Sequence, residues 1–329
     1  MISLLQLEYF RRLCVTQHIT QTAKELFVSQ TALSSMIIGL EKELGVKLFD
    51  REGRSIKLNQ AGEIYCKYVN EAFAALENGQ RALQDYQNIG NHEVSLAVGS
   101  SLVWLPMIYE FRRTHPSYTV RQFNWSLEKL QSGLENMKVD FVIAGCGDLS
   151  TERLNWVEFR DDQVYLCVSR DHPLASCESV SMAELKDLPF IDVPEGSPWR
   201  KFCDTLFAQA GYPRKTVLEC DYSLRASLIE SNFGIALTSS TAREVDLLKP
   251  NCYIPISDSY AHRPMALFWN EKKYFTGAAL EFRKFCLSYY QQHSAAEREQ
   301  TVEALDRKHL FQDEQIDGKL STDPSYDEP

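Results

Sequence analysis

The sequence predicts an α/β protein in three parts: an N-terminal winged helix-turn-helix, a long linker helix, and an α/β module of two subdomains. Three observations carry this. Apolar residues repeat at helical spacing through the first sixty residues and end in a hairpin pattern. Residues 60–88 hold one apolar stripe with no proline. From Asn91 onward, short strand-like and helical runs alternate. A chain of 329 residues has room for about two domains, and its 44% hydrophobic content excludes a disordered chain.

The first helix is read from Leu4, Leu7, Phe10, Leu13 and Cys14, which share one face. A second short helix is expected over Thr20–Phe27. The third is the best marked. Ser29 is its N-cap and Val28 its hydrophobic staple, while Leu33, Ile37, Leu40 and Leu44 follow at steps of 4, 3 and 4 before Gly45 stops it. Two helices joined by a tight turn, the second turning polar side chains outward, make the helix-turn-helix plan. Val46–Phe49, a polar turn Asp50–Arg54 and Ser55–Leu58 then form a hairpin, the wing. Tyr65, Tyr68, Ala72, Leu76, Gly79, Leu83 and Tyr86 recur at spacings of three and four. So narrow a stripe on so long a helix predicts pairing with a second copy, with Tyr65, Ala72, Leu76 and Leu83 in the seam.

Strands are expected at Val94–Val98, Tyr118–Phe123, Val139–Ala144, Gln163–Val168, Thr216–Cys220, Gly234–Leu237 and Pro264–Trp269. Helices are expected between them at Leu102–Thr114, Ser126–Lys138, Pro198–Gln209 and Leu224–Ser231. This alternation argues for parallel sheets wound with helices. About 200 residues exceed one small sheet, so two subdomains with a cleft between them are expected. The domain boundaries that follow are 1–59 for the head, 60–90 for the linker, 91–292 for the module and 293–329 for an acidic, flexible tail. Within the module, 91–161 with 266–292 form one subdomain and 162–265 the other. The tail offers only a turn or two near Val302–Leu310.

Charge separates these parts. The whole chain is −10, yet residues 1–60 are +2 and residues 294–329 are −6. Any contact with nucleic acid belongs to the first sixty residues. No run reaches the ~18 apolar residues that span a bilayer, and Met1–Arg12 has no signal-peptide pattern. The expectation is a cytoplasmic protein without a membrane partner, its nine cysteines reduced.

An enzymatic site is hard to assemble, and no catalytic activity, cofactor or metal is expected. There is no Gly-x-Ser-x-Gly elbow and no Gly-x-x-x-x-Gly-Lys phosphate loop. Gly145-Cys146-Gly147 follows a strand, but Ser150 stands where a dinucleotide fingerprint needs its third glycine. The seven histidines are dispersed, and Cys14, four residues before His18, faces the head's core. Cys203, near Arg200 and Lys201, and Cys220 are the pair that a redox-sensing regulator would use. Cys146, Cys167, Cys220 and Cys252 sit in apolar strands, where cysteine is usually a small buried hydrophobe.

Leu7–Phe10, then Ala23-x-x-Leu26-x-Val28-Ser29-Gln30-Thr31-Ala32-Leu33-Ser34, then Leu40-Glu41-x-x-Leu44-Gly45-Val46-x-Leu48-Phe49-x-Arg51 form a long ordered run. It resembles that of LysR-type transcriptional regulators. Ala61-Gly62, His172-Pro173-Leu174-Ala175 and Phe233-Gly234-Ile235-Ala236-Leu237 fit the same pattern, so the resemblance covers about residues 1–292. It implies a winged helix-turn-helix, a dimerising linker helix and a two-subdomain effector module like a periplasmic solute-binding protein. It also implies homodimers that often pair into tetramers, double-stranded DNA with an inverted-repeat operator, and promoter control by a small metabolite. RNA polymerase is a further expected partner.

On this reading Gln30, Thr31, Ser34 and Ser35 meet base edges, Gln suiting adenine and the Thr methyl thymine. Arg51, Arg54 and Lys57 on the wing hold the phosphate backbone. The chain departs from the family pattern in the reading helix, where Ser35, Met36, Ile38 and Gly39 replace basic residues and a Gln, and Thr31 replaces a common Pro. Gly39 costs that helix roughly 1 kcal/mol relative to Ala. Phosphate attraction should therefore be weaker than usual, which motivates a second reading: a small-molecule-binding protein with a weakened DNA module.

In wound α/β sheets, ligands bind beyond the carboxyl ends of strands, beside helix N-termini. Those places are Gly99-Ser100-Ser101, Trp125-Ser126, Gly145-Cys146, Glu195-Gly196-Ser197 and Thr238-Ser239. The expected effector contacts are Ser100, Ser101, Trp125, Ser126, Gly145, Cys146, Glu195, Ser197 and Thr238. Trp104, Trp125 and Trp199 flank these loops, whereas Trp156 and Trp269 lie away from them in sequence. Flat apolar rings beside hydroxyls and positive helix ends suit a small amphipathic anion such as a carboxylate.

Overall fold

The computed structural model describes residues 2–52, 55–87, 92–246 and 251–292. The head consists of α1 (Leu4–Thr16), α2 (Ile19–Glu25), α3 (Gln30–Leu44) and the hairpin β1 (Phe49–Glu52) and β2 (Ser55–Leu58). Each helix start is written locally. Ser3 and Gln6 form a capping box, His18 accepts from the Gln21 N–H, and Ser29 accepts from the Ala32 N–H. Gly45 closes α3 in the left-handed region at φ 70°. Phe10, Leu13, Leu33, Ile37, Leu40 and Leu48 fill the core. Glu41 is buried beneath it and joins the reading helix to the wing. Its Oε1 accepts the Leu48 N–H at 2.9 Å, and its Oε2 meets Lys47 Nζ at 2.7 Å.

α4 (Gln60–Tyr86) is one 27-residue helix. Gly62 lets it press against the wing, because a Cβ there would lie 2.1 Å from the Leu48 carbonyl oxygen. Tyr65 does not join the outward stripe. Its ring packs on Phe10 at 5.5 Å, and Val69 and Phe73 face the head's core beside it. Ile64, Tyr68, Leu76, Leu83 and Tyr86 are the exposed large apolar residues along α4. α4 is also tied to the module. Asn78 accepts from the Tyr274 N–H at 3.1 Å and donates to the Lys272 carbonyl at 2.8 Å, and Tyr274 donates to Asp85 at 2.8 Å.

The module continues with β3 (Glu93–Val98), α5 (Leu105–Thr114), β4 (Thr119–Asn124), α6 (Leu127–Glu135), β5 (Phe141–Gly145) and β6 (Leu154–Ser169). Then come β7 (Pro189–Asp192), α7 (Pro198–Ala210), β8 (Lys215–Glu219), α8 (Tyr222–Glu230), β9 (Ala236–Ser239) and α9 (Ser240–Asp246). β10 (Asn251–Pro255), β11 (His262–Asn270) and α10 (Gly277–Gln292) complete it. The main sheet runs β10-β6-β11-β5-β3-β4, with β9 also paired to β6. It is mixed rather than parallel throughout: β3 lies parallel to β4 and β5, while β11 is antiparallel to β5 and β6. β7 and β8 form a small parallel sheet of their own.

The 16-residue β6 organises this half of the molecule. Its first part pairs with β11 and its last part with β9 and β10. Two separate cores form at its two ends. One gathers Leu96, Phe111, Phe141, Leu267 and Phe282; the other gathers Leu166, Phe190, Leu206, Phe207 and Leu237. Among the described residues no helix is long and apolar enough to cross a membrane. Arg54, the tail 293–329 and the turns near Val302–Leu310 lie outside the described residues.

The exposed stripe on α4 generates a test of assembly. Leu83 is 63% exposed in the chain, so Leu83→Asp should leave thermal stability within about 0.5 kcal/mol of wild type. In a paired seam the same change buries an unpartnered charge, so light scattering should show a shift to monomer. An unaltered dimer mass would place the seam elsewhere.

Candidate functional site

α3 turns its polar side chains outward. Gln30, Thr31 and Ser35 are exposed and Ser34 is half-buried, while Leu33, Ile37 and Leu40 turn inward. Lys57 is exposed on β2, paired in register with Asp50, and Arg51 lies on β1 opposite Ile56. The turn before α3 holds a residue that sequence reasoning passed over. Phe27 adopts φ 56° and is 95% exposed, an uncommon conformation for a bulky side chain. Ile38 is half exposed on α3.

The second candidate is a cavity of about 370 Å³ between the two ends of the module. Its walls come from the carboxyl ends of β3, β4 and β9 and from the starts of α6, α7 and α8. Ser100, Trp125, Ser126, Glu195, Ser197 and Thr238 all line it, as do Trp104 and Trp199. Leu127 N–H donates to the Gly196 carbonyl at 3.0 Å, clasping the two sides at the rim. Ser126 and Ser197 occupy N-cap positions, yet neither side chain makes a cap hydrogen bond. Their hydroxyls sit beside two positive helix ends that open on the cavity.

Three expected contacts fall outside it. The Ser101 carbonyl accepts from Gln122 Nε2 at 3.0 Å, behind the loop. Gly145 is filled from its own side: its N–H donates to Asp148 Oδ2 at 2.8 Å, and a Cβ would meet Arg263 Nε at 2.8 Å. Cys146 follows with its N–H bonded to the Pro264 carbonyl, turned out of the cleft. The strand end is therefore sealed by a local ion pair, a feature that spacing alone does not reveal.

The chain also brings charged groups that the sequence did not flag. Arg225, Arg263, Asp162 and Asp221 line the cavity. Asp162 is 2% exposed, and its Oδ1 accepts from Arg160, Ser240 and both the N–H and hydroxyl of Thr241. Arg263 Nη2 donates to Asp148 at 2.7 Å, with its guanidinium stacked near Trp199 and Phe202, while its buried Nε has no protein partner. Arg225 is 4% exposed. It donates to the Leu237 carbonyl at 3.3 Å and lies over the Tyr222 ring, and among the described residues no carboxylate reaches ion-pair distance. Thr238 Oγ1 is buried without a protein partner. Any signal in the sequence was slight: Arg225 lies one turn into a helix that follows a strand end.

The cysteine pair proposed for redox sensing is not arranged for it. Cys203 is 2% exposed in one core and burial pushes its thiol up to about 12, while Cys220 belongs to another cluster and is also raised by burial. Arg200 is held by Glu219 and Asp204 rather than by Cys203. Among the described residues no group of three or more His, Cys, Asp and Glu is gathered as a metal site would need.

Comparison with known proteins covers both parts. Residues 4–63 match the description "Bacterial regulatory helix-turn-helix protein, lysR family", and residues 90–291 match "LysR substrate binding domain". The uncharacterised HTH-type transcriptional regulator YybE of Bacillus subtilis is 29% identical over 304 residues, covering 87% of this chain and 99% of its own. A full-length OxyR variant from Pseudomonas aeruginosa has the same fold at TM-score 0.64 and 20% identity, over 90% of this chain and 96% of its own. Full-length CbnR in complex with its target DNA aligns at TM-score 0.56 and 17% identity, over 86% and 98% of the two chains.

The unpartnered Thr238 hydroxyl makes a prediction for the ligand-free protein. A buried hydroxyl without a partner costs about 1–3 kcal/mol. Thr238→Val should thus leave stability unchanged or raise it by about 1 kcal/mol in urea unfolding. A loss larger than about 1 kcal/mol would mean that the hydroxyl is already satisfied.

Proposed function

This chain belongs to the LysR family of transcriptional regulators, and we propose that it governs its promoters through a small anionic metabolite held between the two ends of its module. The observation that carries this is Arg225, a buried cation with no carboxylate at ion-pair distance among the described residues. An isolated buried charge is costly by several kcal/mol, and an incoming carboxylate offsets that cost. The neighbouring groups fit the same ligand. Ser126 and Ser197 stand at positive helix ends, Thr238 offers a free hydroxyl, and three tryptophans supply flat apolar wall. Ser100 and Glu195 complete the proposed contacts.

The DNA-facing roles are proposed on the placement of the residues. Gln30, Thr31, Ser34 and Ser35 read bases of an inverted-repeat operator, and Arg51, Arg54 and Lys57 hold phosphates. The protein acts as a dimer or tetramer in the cytoplasm, without catalytic activity, and contacts RNA polymerase at the promoter. Closing the cleft on the effector moves one end of the module against the other, and α4 carries that motion to the head.

Two experiments test these readings. Arg225→Gln should weaken binding of a confirmed carboxylate effector by roughly 10- to 100-fold, the value of a charge-assisted contact, without lowering the ligand-free melting temperature. Equal affinity would remove Arg225 from the site. On DNA, Lys57→Ala should reduce the log–log salt slope by about 1 and weaken specific and random duplexes alike. Gln30→Ala should instead relax sequence preference at constant slope, and the reverse pattern would exchange their assignments.

A further inference from the structure

Phe27 is the most exposed of the large apolar residues described, at 95%, yet its backbone is firmly held. It closes α2 as a Schellman cap. The Phe27 N–H donates to the Lys24 carbonyl at 3.2 Å, and the Val28 N–H donates to the Ala23 carbonyl at 2.9 Å. Such a cap needs a left-handed residue at its centre, where glycine is free of strain and a phenylalanine at φ 56° is not. Beyond it Val28 packs on the head's core and Ser29 caps α3 through the Ala32 N–H, so both sides of the turn are fixed. The ring projects from a rigid corner into solvent, strained and buried against nothing in its own chain.

That corner stands at the end of α3 that carries Gln30 and Thr31. Three residues of chain span at most about 10 Å, the rise of about three base pairs, so Phe27 stays beside Gln30 on the scale of a half-site. From Gln30 to Leu40, α3 contains neither lysine nor arginine, and this stretch offers DNA hydrogen-bonding and apolar groups instead of charge. A phenyl ring has no donor for phosphate or for a base-edge acceptor. Of the groups that a B-form major groove presents, the thymine C5-methyl is the apolar one. Resting on the reading of α3 as the helix that meets base edges, we propose that Phe27 is a further base-reading residue, which lays its ring on a thymine methyl flanking the bases met by Gln30. The ring then separates thymine from cytosine, whose edge has no methyl, and the fixed corner aims it with little left to order on binding.

Full-length protein is tested on duplexes that it selects from a random library, resynthesised with deoxyuridine in place of single thymines. This change removes the methyl and keeps the base pair. Wild type should lose about 3- to 5-fold in affinity at one thymine of each half-site, the worth of one buried methyl. Phe27→Ala should bind the thymine duplex at least about tenfold more weakly and no longer distinguish deoxyuridine at that position. Its log–log salt slope should match wild type, because no phosphate contact is lost. Phe27→Gly should bind as weakly yet melt no lower than wild type, since glycine relieves the left-handed strain; a residue needed only for folding would lower both. Gln30→Ala in the same assay separates the two readings. If it relaxes preference while both Phe27 variants match wild type, α3 remains the reading helix and the Phe27 assignment is overturned. If none of the three changes preference, both readings fall. A fall in mass by light scattering for Phe27→Ala, with thymine discrimination intact, would place the ring in a protein interface and overturn the assignment as well.

Discussion

The module depends on β6 being continuous through both of its cores. One strand cannot serve two sheets unless its middle is fixed, and the middle here is fixed by charge. Asp162, 2% exposed, collects the Arg160 guanidinium, the Ser240 hydroxyl and two donors from Thr241, and Arg160 reaches on to Glu244 and over the Tyr290 ring. A buried carboxylate oxygen gathering these donors holds β6 against the start of α9 and the end of α10. The strand ends of β3, β4 and β9 then converge on one gap, and the helix starts that follow them face each other across it. The cleft is a consequence of that crossing.

Within the cleft, two arginines are treated differently. Arg263 has Asp148 at 2.7 Å, and the pair seals the end of β5 so closely that Gly145 is the only size that fits. Arg225 has a carbonyl and a ring but, among the described residues, no carboxylate at ion-pair distance. A fold does not gain stability from such a residue, so its retention is best understood through binding. Among the described residues, the hydrogen bonds and ion pairs between α4 and the module fall on the first core. Asn78, Asp85 and Arg81 fasten α4 to the first core, where Lys273, pushed down to about 8 by burial, sits 3.1 Å from Asp140.

Much of this was legible in the sequence because the relevant signals are local. Ser29, Val28 and Gly45 mark α3 by capping chemistry, and the strand-to-helix loops at Ser100, Ser126, Ser197 and Thr238 are set by alternation. What escaped was non-local. β10 and β7 are five- and four-residue strands whose pairing is made by β6 and β8, and α10 is covered in aromatic residues that obscure its period. The direction of β11 against β6 cannot be read from spacing, which is why the sheet is mixed where alternation suggested parallel strands. Tyr65 has stripe spacing but is claimed by Phe10, and Gly145 has site position but is claimed by Asp148 and Arg263.

The central claim, that the cleft is built for an anion, has a direct measurement. Trp104, Trp125 and Trp199 line the cavity, so their fluorescence reports occupancy. A panel of small carboxylates should be titrated beside their matched primary amides and amines, at constant ionic strength. The account predicts saturable quenching by at least one carboxylate, with its amide at least about tenfold weaker, the loss expected when one charge-assisted contact becomes neutral. Amides or amines binding as tightly as the acids would contradict it.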